Sequence, residues 1–388
     1  MKRNTIYVML SVVAMLSMLL SACGAAATTA APAPATAAPA TAAPATAAPA
    51  TAAPATAAPA TAAAPATQAP AAATSIPTAA TQTGRVYAFV PKNLGNPYFD
   101  AANSGAQLAA AELGVKVLYQ GPTTADATAQ ITLLDSLIAQ KVNGMAISAD
   151  DADALVPTGK AAIAAGIPVV CFDSPISAGG RLTFVNQAST QGIGDVEVKM
   201  ALDLTGPAGG EIAILSATAQ APNQNLWIGI MKADLATPTY SMLKLDTVVY
   251  GNDDDTTSYN QALALFKTYP NLKVIIAPTT VGIAASARAV KDQSLTGKVF
   301  VTGLGLPNQM RDYVTGGQSP EFALWNVPNI GYLTIYMLDA IATGKIKGNP
   351  GDTFTAGKLG SYTVAQDSSV LLGPPQIFDK TNIANFNY

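Results

Sequence analysis

The residues able to do chemistry are defined first by one that is missing. The chain of 388 residues contains no histidine. That removes the commonest general base, the commonest metal ligand and every Ser/His or Cys/His arrangement. Polar and aromatic side chains gather instead just behind short apolar runs. Lys92, then Tyr98 and Phe99, follow Arg85–Pro91; Asp173 closes the run from Pro168. Asn223 and Gln224 follow Glu211–Ser216, Pro278 and Thr280 follow Val274–Ala277, and Trp325 and Asn326 follow Glu321–Leu324. One lysine, one carboxylate, several amides, a hydroxyl and aromatic faces suit a small neutral polyol. Amides and carboxylates exchange hydrogen bonds with hydroxyls, and rings cover C–H patches. Each residue also has a plainer role open to it. Lys92 fits a surface loop, Asp173 a turn, Asn223 a helix N-cap, and Tyr98, Phe99 and Trp325 the core. The run Asn252–Asp255 lacks the glycine and the later glutamate of an EF-hand loop and reads as a solvated helix start. No metal or cofactor is expected.

These positions are set by alternating β and α patterns. Strands are expected at 85–91, 115–119, 144–148, 168–173 and 183–186, then at 211–216, 243–250, 274–277, 298–302 and 321–325. Helices are expected between them, Pro97 opening one that Gly114 closes. The helix from Asp126 to Gln140 puts Ile131, Leu134 and Ile138 on one face. Strands that are apolar throughout, alternating with helices, mean parallel sheet covered on both faces. The expected fold class is α/β, with two Rossmann-like doubly wound lobes joined by a hinge. Ligands of such sheets lie beyond the carboxyl ends of the strands, where the residues above fall. The expected lobes are 84–187 with 307–345, and 188–306 with 346–388. The last forty-odd residues read as irregular, with a short strand near Tyr362–Val364.

The start of the chain has a different character. Lys2 and Arg3 precede an apolar run from Ile6 to Leu20, the layout of a secretory signal over residues 1–22. Leu20-Ser21-Ala22-Cys23 resembles the bacterial lipobox, which implies cleavage before Cys23 and its lipidation. The remaining cysteine, Cys171, then has no disulfide partner and reads as a small buried hydrophobe. Residues 25–83 repeat Ala-Pro-Ala-Thr-Ala with no charge, so 23–83 is expected to be a lipid-anchored disordered tether. At about 3.1 Å per residue in polyproline II it would span roughly 180 Å. A net charge of −3 gives no basic stripe for nucleic acid.

The body from 84 to 388 resembles the type I periplasmic binding proteins of sugar ABC importers. Gly95-Asn96-Pro97-Tyr98-Phe99 is similar to the ribose-binding branch. Val90-Pro91-Lys92, Phe172-Asp173-Ser174, Val185-Asn186-Gln187, Asn223–Trp227, Ile276-Ala277-Pro278, Leu324-Trp325 and Asp379–Ile383 resemble the branch of the autoinducer-2 receptor of the Lsr system and the rhamnose-binding proteins. The resemblance implies a monomeric, membrane-anchored binding protein that passes a sugar to an ABC permease. Lys92 would donate to ligand hydroxyls, Asp173 would accept two, and Asn223 and Gln224 would reach in from the second lobe. The Pro278 carbonyl and Thr280 backbone would complete the ring, with Tyr98, Phe99 and Trp325 as walls. The resemblance implies a deoxyhexose such as rhamnose, a pentose or autoinducer-2 as ligand; the autoinducer-2 receptor has Asp, Ala and Asp where this chain has Asn223, Thr280 and Asn326, which argues against autoinducer-2 itself. The rivals are a sensing co-receptor using the same pocket and a surface carbohydrate-active enzyme.

Overall fold

The computed structural model describes residues 84–388. The expected signal peptide, the lipidation at Cys23 and the tether lie outside the described residues. Strands whose every residue is apolar have no face to give to water. β1 (Val86–Val90), β2 (Lys116–Tyr119), β3 (Gly144–Ile147), β4 (Val169–Phe172) and β5 (Thr183–Asn186) alternate with α1 (Pro97–Leu113), α2 (Ala127–Ala139) and α3 (Val156–Ala164). β3 and β4 are buried along their whole length, as parallel strands covered on both faces must be.

After β5 come α4 (Thr190–Thr205), β6 (Gly210–Ser216), α5 (Pro222–Leu235), β7 (Leu243–Tyr250), α6 (Asp255–Thr268), β8 (Leu272–Ala277), α7 (Thr280–Asp292) and β9 (Phe300–Gly303). The chain ends through α8 (Pro307–Gly316), β10 (Glu321–Leu324), α9 (Val327–Ala342), β11 (Thr353–Thr355), β12 (Ser361–Thr363), β13 (Ser369–Leu371) and β14 (Gln376–Asp379).

Two parallel sheets result, in the orders β13-β5-β4-β3-β1-β2 and β7-β6-β8-β9. β14 pairs antiparallel with β10, and a bridge from Leu304 to Ala323 carries the β10 pair alongside the end of β9. The chain passes between the two sheets at 187–189, 325–326 and 372–375.

The element boundaries reflect local chemistry. Asn96 accepts from the Tyr98 amide at 3.1 Å, Pro97 opens α1, and Gly114 ends it in the left-handed conformation at φ 63°. Asp126, Ser189 and Asp254 cap α2, α4 and α6 in the same way. α1 and α9 pack face to face. Their backbones approach so closely that a Cβ on Gly331 would lie 1.8 Å from the Ala102 carbonyl oxygen.

Three expectations about the C-terminal third need correction. Residues 346–388 do not all go with the second sheet: β13 hydrogen-bonds to β5, as an edge of the first. α8, expected in the first lobe, packs on α7 of the second. The tail is not irregular either, because β11 to β14 are paired strands. Three- and four-residue strands carry too little periodicity to be read locally; their partners define them.

Candidate functional site

Four helices begin at the cleft between the lobes, and each brings side chains with it. α1 brings Tyr98 and Phe99, α5 brings Asn223 and Gln224, α7 brings Thr280, and the turn before α9 brings Trp325. Together with Lys92, Asp173 and Pro278 they line one cavity in the cleft.

The centre of the cavity is a hydrogen-bonded link between the lobes. Lys92 Nζ donates to Asn223 Oδ1 at 3.0 Å. Asn223 Nδ2 donates to Asp173 Oδ1 at 3.1 Å and to the Asp173 carbonyl at 3.3 Å. Lys92 also lies 3.5 Å from Asp173 Oδ2, which accepts the Ser148 hydroxyl at 2.6 Å. Lys92, Asp173 and Asn223 are each about 95% buried. A lone buried charge would be costly, and this pairing offsets the cost. Asp173 is held at φ 57°, a left-handed conformation that Asp tolerates better than most non-glycine residues but still at a cost. Asn223 is not the helix cap: Ala221 occupies that position and Pro222 the first turn, which leaves the Asn223 amide to bridge the lobes.

The other predicted residues divide by role. Gln224 Oε1 accepts from Ser216 Oγ and the Ala217 amide at 2.6 and 2.7 Å, fixing the side chain with its NH2 group uncommitted among the described residues. Tyr98 and Trp325 meet edge to face at 6.1 Å, and Trp325 Nε1 donates to the Tyr98 hydroxyl at 3.1 Å. Burial, and then the Asp173 carboxylate, push the Tyr98 phenol upward. Asn326 does not join the cavity. It is exposed, and its Oδ1 accepts the Asn329 amide at 3.0 Å to cap α9, so a capping role takes the side chain that was expected to face a ligand.

Residues beyond those predicted also line the cavity: Asn96, Trp227, Asp253, Thr279, Leu304 and Leu324. Trp227 packs 6.1 Å from Trp325, across the lobes. Asp253 belongs to the run read as a solvated helix start. Asp254 does cap α6, but Asp253 turns into the site. The signal was present in the sequence, since Asp253 also follows the carboxyl end of a strand. Behind the site, Gln130 is fully buried and ties two of the bearing loops together. Its Nε2 donates to the carbonyls of Pro91 and Ser148, and its Oε1 accepts the Asp150 amide.

Among the described residues the cavity is lined by one lysine, Lys92, and two carboxylates, Asp173 and Asp253, one from each lobe. Comparison with known proteins places this site in a family. A family described as the periplasmic binding protein domain matches residues 87–346. Among solved structures, an ABC transporter solute-binding protein from Clostridium phytofermentas with bound L-rhamnose is 39% identical, with a TM-score of 0.76. The match covers 78% of this chain and 98% of that one. A sugar ABC transporter protein from Actinomyces odontolyticus is also 39% identical, at TM-score 0.64, over 80% of this chain and all of its own. LsrB from Clostridium saccharobutylicum, in complex with autoinducer-2, is 26% identical at TM-score 0.74, over 78% of this chain and 100% of that one. This chain belongs to the periplasmic binding protein family, as a type I solute-binding protein of the sugar ABC-importer kind and not an enzyme.

Proposed function

We propose that the protein is the lipid-anchored substrate-binding component of an ABC importer for a small neutral sugar: a deoxyhexose such as L-rhamnose, a pentose, or autoinducer-2. The observation that carries this is the interlobe link of Lys92, Asn223 and Asp173 beneath the aromatic walls of Tyr98, Phe99, Trp227 and Trp325. A ligand hydroxyl inserted there can donate to Asp173 and accept from Lys92, exchanging protein–protein hydrogen bonds for protein–ligand ones. Among the described residues Lys92 is the only cation lining the cavity, and Asp173 already matches it, which argues against sugar phosphates and uronic acids. The L-rhamnose-bound relative supports the deoxyhexose reading. Closure of the two lobes over the sugar would need no covalent step; the ligand stabilises the closed state by contacts made to both lobes. The closed form would dock on a membrane permease, with Cys23 holding the receptor nearby at the outer face of the membrane.

The test is a thermal-shift panel on the purified protein, with L-rhamnose, other deoxyhexoses, pentoses, autoinducer-2, sugar phosphates and amino acids. The proposal expects one or more of the neutral ligands alone to raise the melting temperature. A shift with amino acids or phosphates and none with sugars would refute it.

A further inference from the structure

We propose that Asp253 is a specificity-determining ligand residue of the second lobe, whose carboxylate accepts a hydroxyl of the bound sugar. The inference rests on the sugar-binding reading above and names a contact that reading lacks.

Four observations meet at this residue. Asp253 lines the cavity from the turn after β7, whereas its neighbours Asp254 and Asp255 are exposed to water. Asn252 and Asp253 both adopt left-handed backbone, at φ 55° and 49°, which Asn and Asp tolerate better than most residues but still at a cost. The Thr279 hydroxyl donates to Asp253 Oδ1 at 2.5 Å. Thr279 is the N-cap residue of α7, yet its side chain makes no capping bond, so the hydroxyl serves Asp253 instead. Among the described residues no hydrogen bond reaches the other oxygen, Oδ2.

The electrostatics argue against a merely structural role. Burial pushes the Asp253 carboxyl upward and Asp173 adds to that, while Lys92 and the Thr279 hydroxyl oppose it. A side chain needed only to shape the turn would be better served by asparagine, which tolerates the same backbone, accepts the same threonine bond and carries no charge. An acceptor-only group with one oxygen held and the other uncommitted fits a donor supplied by the ligand. In a neutral sugar that donor is a hydroxyl. The ligand would then present one hydroxyl to Asp173 in the first lobe and another to Asp253 in the second, and a sugar deoxygenated at the second position would be rejected.

The test is calorimetric titration of the purified protein and its Asp253→Asn variant with L-rhamnose, D-arabinose and autoinducer-2, followed by monodeoxy analogues of the tightest binder. Asp254→Asn serves as control, because Asn caps a helix as well as Asp does. Wild type and Asp254→Asn should bind alike, and Asp253→Asn about tenfold or more weakly. One monodeoxy analogue should lose affinity for wild type but not for Asp253→Asn. Equal binding by wild type and Asp253→Asn would overturn the inference and leave the sugar reading intact. A uniform loss across all deoxy analogues would also overturn it, by assigning Asp253 to the scaffold. Failure of wild type to bind any of the three ligands would remove both the sugar reading and this inference.

Discussion

Asn223 shows how a single amide can commit a cleft to closing. Its oxygen faces the Lys92 ammonium and its NH2 group faces the Asp173 carboxylate, so it satisfies both charges and neither could be exchanged for its opposite. Asn223→Asp would set a second carboxylate against Asp173 and is expected to weaken sugar binding about tenfold or more by the cost of a mismatched buried pair; calorimetry checks it, and unchanged affinity would contradict the bridging role. The sequence marked Lys92, Asp173 and Asn223 because all three follow strands. The same rule failed on Asn326 and passed over Asp253. A side chain at a strand end either faces the ligand or caps the next helix, and only the turn geometry decides which. Asn326 caps α9, while Asp254 takes the capping role that frees Asp253 for the cavity.

Secondary-structure elements carry their own consequences. Glu197 on α4 is fully buried with neither carboxylate oxygen hydrogen-bonded among the described residues, and burial holds its carboxyl well above the usual range. Asp150, just beyond β3, is likewise buried, and burial pushes it up to about 8 against the pull of Lys92. An acid whose folded pKa exceeds its unfolded value keeps its proton in the fold through that window, so the contribution of Asp150 is full below about pH 4 and declines as pH rises toward 8, and Glu197 acts in the same direction. Denaturant midpoints measured at pH 5 and pH 9 should therefore differ less in Glu197→Gln and Asp150→Asn than in wild type, with the gain at pH 9. The α1–α9 crossing gives a second prediction. Alanine is the better helix former, yet Gly331→Ala should lower the melting temperature by about 5 °C, because the added methyl meets the Ala102 backbone and overpacking costs about 1–3 kcal/mol. A rise in melting temperature would mean the helices separate at little cost. The alternation of strands and helices was legible because apolar runs such as Val169–Phe172 need two covered faces. β13 was not, since three residues read as loop until β5 gives them a partner.

The two lobes and three crossings make the cleft a property of the whole chain. Trp325 sits in one crossing and lines the cavity, and Gln187 sits in another. Small-angle scattering should show the ligand-free protein contracting when the sugar is added, and an unchanged radius would contradict closure by hinge motion. Cys23→Ser should release the protein from the membrane fraction if the lipobox reading is right. The central claim is that the cleft between the lobes binds a small neutral sugar through Asp173. Titration calorimetry of wild type and Asp173→Ala with L-rhamnose, D-arabinose and autoinducer-2 tests it most directly. The account predicts one-to-one binding of at least one of these by wild type and loss of about a hundredfold or more in the variant, which leaves Lys92 buried without its charge partner. Equal binding by the two proteins, or none by wild type, would contradict it.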